Sequence, residues 1–228
     1  MKAVISGYGK MGHMIEKILC EQGIECIGKS EDITSFDPNL AKDAVCIDFT
    51  FPTSFRKNYT FLADNFKAVV VGTTGWDDIR DEVTGYFRKR GTTLIWASNF
   101  SVGVNVLMAA VSLTSRLLSK SGGYTPYITE KHHIHKLDAP SGTAKTLAEI
   151  VEKSYPSPIQ VASIRAGEIP GIHTISFEGL SDRITLEHEA FSREGFARGA
   201  VLAAKLSETL TGVHQFSELF LGEEQIQQ

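Results

Sequence analysis

The chain has 228 residues, of which 42% are hydrophobic and 22% are charged, and its formal net charge is −4. This composition is typical of a globular protein with one large or two small hydrophobic cores, and the acidic balance disfavours a nucleic-acid-binding partner. No signal-peptide pattern and no run of ~18 apolar residues is apparent, which disfavours a membrane partner. The three cysteines form no C-x-x-C pair, so we expect buried, reduced thiols and a cytoplasmic location.

A glycine-rich turn follows the first predicted strand. Residues 2–6 form a short apolar run, Gly7-Tyr8-Gly9-Lys10-Met11-Gly12 follows it, and residues 14–19 have the apolar spacing of a helix. In the order strand, turn and helix, the pattern G-x-G-x-x-G is typical of a dinucleotide site. Gly9 lets a pyrophosphate approach the backbone, and Gly12 lets the helix pack closely on the strand.

Charged residues follow the second predicted strand, residues 25–28. Glu31 and Asp32 lie about 20 residues beyond the glycines, where an acid binds the ribose hydroxyls of NAD. Lys29 and Ser30 are instead suited to the 2′-phosphate of NADP. The sequence leaves the choice between NADH and NADPH open.

Strands and helices then alternate regularly. Strands are predicted at 44–49, 68–71 and 93–96, and helices at 54–65 and 77–90. Three strand ends carry small or hydroxylated residues, at the sheet edge where ligands bind in open α/β folds. The sequence therefore predicts an α/β fold whose N-terminal domain, residues 1–103, is a Rossmann-type, doubly wound parallel sheet.

A second domain is predicted over residues 104–203. A helix over 104–118, a strand over 124–129 and a helix that begins at Ser141 are followed by strands with a period of two. These strands, at 161–165, 173–178 and 183–188, indicate an α+β domain with a mixed sheet, one face of which is exposed. A last helix is predicted over 196–210, and an apolar tail, about 204–228, is expected to pack back on the first domain.

The densest polar segment is Glu130-Lys131-His132-His133-Ile134-His135-Lys136-Leu137-Asp138, and Ala139-Pro140-Ser141-Gly142-Thr143 follows it. Ser141 is a suitable N-cap for the next helix, whose N–H groups and dipole form an anion socket. Lys136 adds a fixed cation, and histidines move protons near neutral pH. The segment suits a small acidic substrate that is held by its carboxylates and protonated.

The sequence also allows a second interpretation of this segment, a metal site with His133, His135 and Asp138 as ligands. Lys136 lies between His135 and Asp138, and no other cluster has ligand spacing, so we predict no metal. His173 and His188 lie in strand patterns and are interpreted as structural or surface residues.

These motifs resemble those of the dihydrodipicolinate reductase family of the diaminopimelate and lysine pathway. The resemblance covers nearly the whole chain and is most specific in the segment E-x-H-H-x-x-K-x-D-A-P-S-G-T, residues 130–143. Lys10 and Ser98 depart from the family, in which arginine and proline are frequent at these positions, and no arginine follows Glu31. The resemblance implies NADH- or NADPH-dependent reduction of a cyclic, unsaturated dicarboxylate, 4-hydroxy-tetrahydrodipicolinate, to tetrahydrodipicolinate.

The resemblance also implies roles for individual residues and a homotetramer built through the second-domain sheet. His132 is the implied proton donor and Lys136 a second catalytic donor, while His133, Ser141, Gly142 and Thr143 are implied to bind the substrate. The implied cofactor-binding residues are Gly7, Tyr8, Gly9, Lys10, Met11, Gly12, Glu31, Gly72, Thr73, Thr74, Ala97, Ser98, Asn99 and Phe100.

Two other functions are compatible with the predicted dinucleotide-binding domain. A reductase for a different small acid would share the first domain but not the full segment from His132 to Thr143. A non-catalytic dinucleotide sensor would need no proton donor beside an anion socket, so the segment disfavours it.

Overall fold

The structure, a computed structural model, describes residues 1–220 and divides the chain into two compact units. Unit 1 comprises Met1–Ser101 and the chain from Phe196 onward, and unit 2 is Val102–Gly195. The predicted boundary was at 103/104, with a return to the first domain at about 204. The predicted fold class, a Rossmann-type sheet followed by a domain with a mixed sheet, is confirmed.

Unit 1 is built on a six-stranded parallel sheet with the order β10-β5-β4-β3-β1-β2. Its strands are β1 (Lys2–Ser6), β2 (Glu25–Ser30), β3 (Ala44–Asp48), β4 (Ala68–Val71), β5 (Thr93–Trp96) and β10 (Val213–Gln215). β1, β3 and β4 are almost fully buried, which is why they read as continuous apolar runs.

Helices cover this sheet. They are α1 (Lys10–Glu21), the short α2 (Pro38–Ala41), α3 (Pro52–Asn65), α4 (Arg80–Arg90) and α7 (Glu194–Leu206). α3 begins at a proline, whose fixed φ suits the first helical position. Phe55, Leu62, Trp76 and Phe87 pack in a core with residues of β3, β4 and β5.

The last helix ends earlier than predicted, at Leu206 instead of Leu210. The N–H groups of Glu208 and Thr209 bond to the carbonyls three residues back, so the chain tightens and leaves the helix before Gly212. Strand β10, which no sequence pattern predicted, follows and pairs with β5. Phe216 is buried, with its ring centroid 4.9 Å from that of Phe100 in the same unit. The apolar residue Leu221 of the predicted tail lies outside the described residues.

Unit 2 packs helices α5 (Val102–Ser121) and α6 (Gly142–Glu152) on a four-stranded mixed sheet. The sheet has the order β7-β6-β8-β9, from β6 (Thr125–His132), β7 (Gln160–Arg165), β8 (Ile172–Glu178) and β9 (Arg183–Glu189). β6 and β7 are parallel, whereas β8 is antiparallel to both β6 and β9. β7 and β9 are mostly exposed, in agreement with the predicted exposed face.

α5 is the one described helix that is long and apolar enough to cross a membrane, by length and composition alone, with a mean hydropathy of 1.4. A single helix of this kind is weak support for a membrane span, because a core helix passes the same test. Leu107 and Val111 of α5 pack against Ile128, Leu147 and Ile175, which gives the helix a place in the core of unit 2.

The cysteine prediction was only partly right. All three thiols are free, but Cys46 alone is buried, Cys26 is half-buried and Cys20 is exposed.

Candidate active site and cofactor cleft

A cleft of about 340 Å³ lies in unit 1 at the carboxyl ends of the parallel strands. Eight of the predicted cofactor-binding residues line it: Gly7, Gly9, Lys10, Met11, Glu31, Gly72, Thr73 and Thr74. The turn after β3 was expected at the ligand-binding edge of the sheet, but its residues were not individually predicted to bind the cofactor. Four more lining residues come from this turn and the start of α3: Phe49, Thr50, Phe51 and Ser54. In the sequence, Thr50, Pro52 and Thr53 mark this turn and were the available signal.

Three glycines of the first turn stand at positions where a side chain would clash or would block access to the backbone. A Cβ atom on Gly7 would lie 2.4 Å from the carbonyl oxygen of Phe49, and one on Gly12 would lie 2.5 Å from that of Gly7. Gly7 also has a φ of +85°, a conformation that glycine adopts without strain. Gly9 is exposed and no heavy atom lies within 4 Å of its would-be Cβ, so a phosphate can approach its backbone.

Glu31 and Lys29 are held in different ways. A carboxylate oxygen of Glu31 accepts a hydrogen bond from the N–H of Tyr8 at 2.9 Å, which places this acid beside the glycine turn. The ammonium of Lys29 donates to Glu16 at 2.7 Å and lies 4.9 Å from the centroid of the Tyr8 ring. The Tyr8 hydroxyl also donates to Glu16, so Tyr8 is part of this network and does not line the cleft.

The remaining predicted cofactor-binding residues are not among those that line the cleft. Gly12 is buried in the turn, and Ala97, Ser98, Asn99 and Phe100 follow β5 in unit 1. Because β5 is parallel to β4, they lie at the same edge of the sheet as Gly72 and Thr73. Phe100 is buried between Phe49 and Phe216, at centroid distances of 6.1 Å and 4.9 Å.

In unit 2, the polar cluster continues the core face of β6. Alternate residues of this strand are buried, and Ile128, Glu130 and His132 lie on the same face. The pairing with β8 puts Ile175 opposite Ile128 and His173 opposite Glu130. The core face of β6 thus changes from apolar to polar at Glu130, and the strand ends at His132, three residues later than predicted.

Glu130 is the centre of this cluster, and none of its side chain is exposed to solvent. Its Oε1 accepts hydrogen bonds from Ser163 at 2.7 Å and from Arg165 at 2.8 Å. Both carboxylate oxygens accept from the N–H of Ser141, at 3.0 and 3.2 Å. Burial by itself raises the pKa of Glu130, but the hydrogen bonds from Ser141, Arg165 and Ser163 outweigh it and lower the pKa to about 2.

The two buried histidines face the same oxygen of the Glu130 carboxylate, with their ring centroids 5.0 Å apart. Oε2 of Glu130 is 3.5 Å from Nδ1 of His132 and 3.7 Å from Nε2 of His173. Burial lowers the pKa of His132, and the charge of Glu130 acts in the opposite direction. Burial and the neighbouring His132 lower the pKa of His173 to about 4, so His173 is neutral at neutral pH. His173 was interpreted as structural, but its Nε2 lies 3.2 Å from the Ser141 hydroxyl in this cluster.

Ser141 is the N-cap of α6, as predicted. Its hydroxyl accepts a hydrogen bond from the N–H of Ala144 at 3.2 Å. Because the serine is buried and its polar groups bond within the protein, it fixes the start of the helix, where Gly142 is exposed.

The loop between β6 and α6 carries the other predicted residues. Nζ of Lys136 donates to a carboxylate oxygen of Asp138 at 2.7 Å, and this bond lowers the pKa of Asp138. His133 is half-buried, with its ring centroid 5.9 Å from that of the exposed His135. Nε2 of the exposed His135 lies 3.3 Å from a carboxylate oxygen of Glu168.

Three residues bring potential metal-ligand atoms close together, but they are not His133, His135 and Asp138, the set suggested by the sequence. Potential ligand atoms of Glu130, His132 and His173 lie within 4.8 Å of one another. Arg165 forms an ion pair with Glu130 at 2.8 Å, so a guanidinium charge already occupies this carboxylate and would repel a cation. The chemistry of the donor set therefore fits a proton-transfer cluster better than a metal site.

Two known protein families match this chain, one over each part of the sequence. Residues 1–100 match the family described as dihydrodipicolinate reductase, N-terminus, and residues 103–220 match dihydrodipicolinate reductase, C-terminus. The chain belongs to the dihydrodipicolinate reductase family. It is therefore an oxidoreductase, as predicted, whose cofactor is a pyridine nucleotide.

Individual relatives of the reductase family extend the match. The 4-hydroxy-tetrahydrodipicolinate reductase of Christiangramia forsetii is 34% identical over 96% of this chain and 97% of its own. That of Xanthomonas euvesicatoria is 44% identical over 71% of this chain and 66% of its own. A solved structure, dipicolinate-bound dihydrodipicolinate reductase from Paenisporosarcina sp. TG-14, has the same fold, with a TM-score of 0.80 and 22% identity over 94% of this chain and 97% of that one.

Proposed function

We propose that this reductase converts 4-hydroxy-tetrahydrodipicolinate to tetrahydrodipicolinate with NADH or NADPH, in the diaminopimelate and lysine pathway. Family membership over both units supports the reaction. The observation that carries the assignment of roles is the buried Glu130, which bonds the start of α6 and faces His132. The same carboxylate thus accepts a hydrogen bond from the start of the helix that would bind an anion, and it faces a histidine that can transfer a proton.

The cleft of unit 1 fits a dinucleotide. Gly9 admits a phosphate to the backbone, Glu31 lies beside the glycine turn, and Gly72 to Thr74 line the opposite part of the cleft. When bound, the dihydronicotinamide supplies the hydride. Tyr8, Gly12 and residues 97–100 would support the cleft from the turns behind it.

NADH is the preferred cofactor in this proposal. The Glu31 carboxylate suits the two ribose hydroxyls and repels a 2′-phosphate. Lys29, the cation considered for that phosphate, already forms an ion pair with Glu16 at 2.7 Å. Lys10 lines the cleft and would instead meet the pyrophosphate.

The substrate would be held at the start of α6. Backbone N–H groups at Gly142 and Thr143, together with the positive end of the helix dipole, attract a carboxylate. Lys136 would exchange its bond to Asp138 for a substrate carboxylate, and His133 would contact the same ligand. The solved relative with dipicolinate bound, a dicarboxylate, supports this substrate class.

His132 would deliver the proton. Glu130 faces its Nδ1, which leaves Nε2 to act. A Cβ atom on Gly171 would lie 3.2 Å from this Nε2, so the missing side chain keeps the nitrogen accessible. General acid catalysis of this kind contributes ~10²–10⁴-fold to the rate.

We also expect a cytoplasmic homotetramer formed through the sheet of unit 2. On the exposed strand β7, the apolar residue Ile164 pairs with Lys131 and lies on the face opposite to the core, which supports an interface on this face. Sedimentation equilibrium would measure the assembly, and a monomer at micromolar concentration would contradict the expectation.

The direct test follows NADH and NADPH oxidation with substrate prepared enzymatically from pyruvate and aspartate semialdehyde. We expect rapid oxidation that depends on the substrate-forming synthase, and a higher kcat/KM with NADH. A folded protein that binds a dinucleotide but oxidises neither one would contradict the proposed reaction and favour the sensor function.

A further inference from the structure

Asp48, at the end of β3, is a completely buried carboxylate to which the proposed reaction gives no role. Its Oδ2 accepts a hydrogen bond from the Ser6 hydroxyl at 2.6 Å. Its Oδ1 accepts from the hydroxyls of Thr73 at 2.5 Å and Thr50 at 3.0 Å. Burying a carboxylate is costly unless hydrogen bonds compensate it. Here three hydroxyl groups offset part of that cost, although burial still raises the pKa of Asp48.

The three donors come from three different strand ends. Ser6 ends β1 and pairs in register with Asp48, while Thr50 follows β3 and Thr73 follows β4. β1 is flanked by β2 on one side and by β3 on the other, so the chain reverses its direction of winding between β1 and β3. Ligands of open α/β sheets bind above such a switch point. Asp48 therefore lies beneath the place where a dinucleotide is expected.

Each donor is also connected to the lining of the cleft. Ser6 precedes Gly7, and Thr50 and Thr73 line the cleft themselves. The hydroxyl of Thr73 accepts from the N–H of Thr50 at 2.8 Å while it donates to Asp48. One carboxylate thereby links three separate loops into a single hydrogen-bonded network.

We propose that Asp48 is a positioning residue that holds these three loops in the conformation that binds the dinucleotide. The inference rests on the proposed function only in that unit 1 binds a nicotinamide dinucleotide. The strands beneath are held by their own backbone pairing, so the network mainly orders the loops above them. Without this hydrogen-bonded network, the loops would be less ordered in the free protein. Part of the binding free energy of the dinucleotide would then be used to order them.

Electrostatics alone predicts the opposite effect. Asp48→Asn removes a negative charge close to the site of an anionic pyrophosphate, and this change by itself would strengthen binding. The asparagine amide group, however, presents N–H donors to hydroxyls that now donate to a carboxylate. If Asp48 orders the loops, the variant binds NADH more weakly despite the lost repulsion.

The experiment measures NADH binding by titration calorimetry, and steady-state kcat and KM, for the full chain. We expect Asp48→Asn to raise the Kd and KM for NADH about tenfold or more, equivalent to ~1.4 kcal/mol, and to change kcat at saturating NADH much less. Ser6→Ala, which removes one of the three donors, should show a smaller increase. It also serves as the test if Asp48→Asn fails to fold.

Two further variants separate this role from simple core packing. Thr50→Ser keeps the hydroxyl donor and should retain NADH affinity, whereas Thr50→Val should lose it. Thr84→Val removes a buried hydroxyl of α4, which bonds to the carbonyl of Asp81, and should leave the Kd unchanged.

The outcomes are distinct. Unchanged or tighter NADH binding by folded Asp48→Asn, with normal binding and turnover by the wild type, would overturn this inference alone. A wild-type chain that binds neither NADH nor NADPH would overturn the proposed function as well.

Discussion

Nδ1 of His132 lies 3.5 Å from Oε2 of Glu130, and both side chains are buried on the same face of β6. Residues two apart on a strand share a face, so their spacing produces this proximity directly. Arg165 and Ser163 on β7 hold the other carboxylate oxygen, which leaves Oε2 directed at the histidines. The charge of the carboxylate thus faces His132 and opposes the effect of burial on its pKa.

The first prediction concerns the pH profile. Burial lowers the pKa of His132, Glu130 raises it, and the electrostatic influence of Lys136, Arg165 and His133 lowers it further. Glu130→Gln should therefore lower the pKa of His132. Because the general acid acts in its protonated form, the alkaline limb of the kcat/KM profile should move to lower pH.

Ser163→Ala is the matched control for this change, since it removes a hydrogen bond to Oε1 of Glu130 but keeps the negative charge. Its alkaline limb should stay close to that of the wild type. An identical shift in both variants, or none in Glu130→Gln, would contradict the electrostatic role.

The second prediction concerns turnover. His132→Ala and Lys136→Ala should each reduce kcat/KM by at least about a hundredfold, because each removes a donor that acts on the substrate. Circular dichroism and NADH binding should remain unchanged. The exposed His135 lies in the same segment but contacts Glu168, so His135→Ala should retain most of the activity. Near-normal rates in the first two variants would contradict the assigned roles.

The third prediction concerns cofactor choice. Glu31→Gln removes the charge that repels a 2′-phosphate, so the ratio of kcat/KM for NADH to that for NADPH should fall about tenfold, or ~1.4 kcal/mol. Glu25→Gln, at the exposed start of β2, the strand that Glu31 follows, should leave the ratio unchanged. The ratio is obtained from initial rates with both nucleotides, and an unaltered ratio in Glu31→Gln would place the ribose elsewhere.

The fourth prediction concerns stability. A Cβ atom on the buried Gly199 of α7 would lie 1.7 Å from the backbone oxygen of Phe100, so Gly199→Ala should lower the free energy of unfolding by ~1–3 kcal/mol or more. Gly85 lies inside α4, is exposed and has no heavy atom within 4 Å of its would-be Cβ. Gly85→Ala should instead stabilise by ~0.5–1 kcal/mol. Denaturant unfolding measures both, and equal effects would contradict the close approach.

The fifth prediction concerns acid stability. The pKa of His173 is lowered from 6.5 to about 4 and that of Glu130 from 4.5 to about 2, so the folded state binds fewer protons than the unfolded state over these ranges. Stability should therefore fall as the pH decreases, first between about 6.5 and 4 through His173 and then between about 4.5 and 2 through Glu130.

Denaturant midpoints at several pH values measure this dependence. Glu130→Gln should flatten the lower part of the curve, since glutamine does not titrate. Glu149→Gln, on the exposed side of α6, should follow the wild type. Parallel curves for all three proteins would show that the buried cluster does not control acid unfolding.

Local sequence patterns predicted much of this molecule. The apolar run of β1, the glycine turn after it and the N-cap at Ser141 depend on neighbouring residues, so the sequence contains their full physical cause. The segment from Glu130 to Thr143 also carried enough local chemistry to indicate an acidic substrate, and its resemblance to the family was confirmed. The end of helix α7 was predicted four residues too late, because it depends on how the last turn tightens.

The tertiary structure decided the contacts between distant residues. His173 lies opposite Glu130 only because β8 pairs with β6 in one particular register, and Arg165 reaches the same carboxylate from β7. Likewise, Ser6, Thr50 and Thr73 meet Asp48 because their strands are neighbours in the sheet. A period of two tells which face a residue takes but not which strand lies beside it. The sequence therefore determined the elements and the chemical groups, and strand pairing determined which of these groups act together.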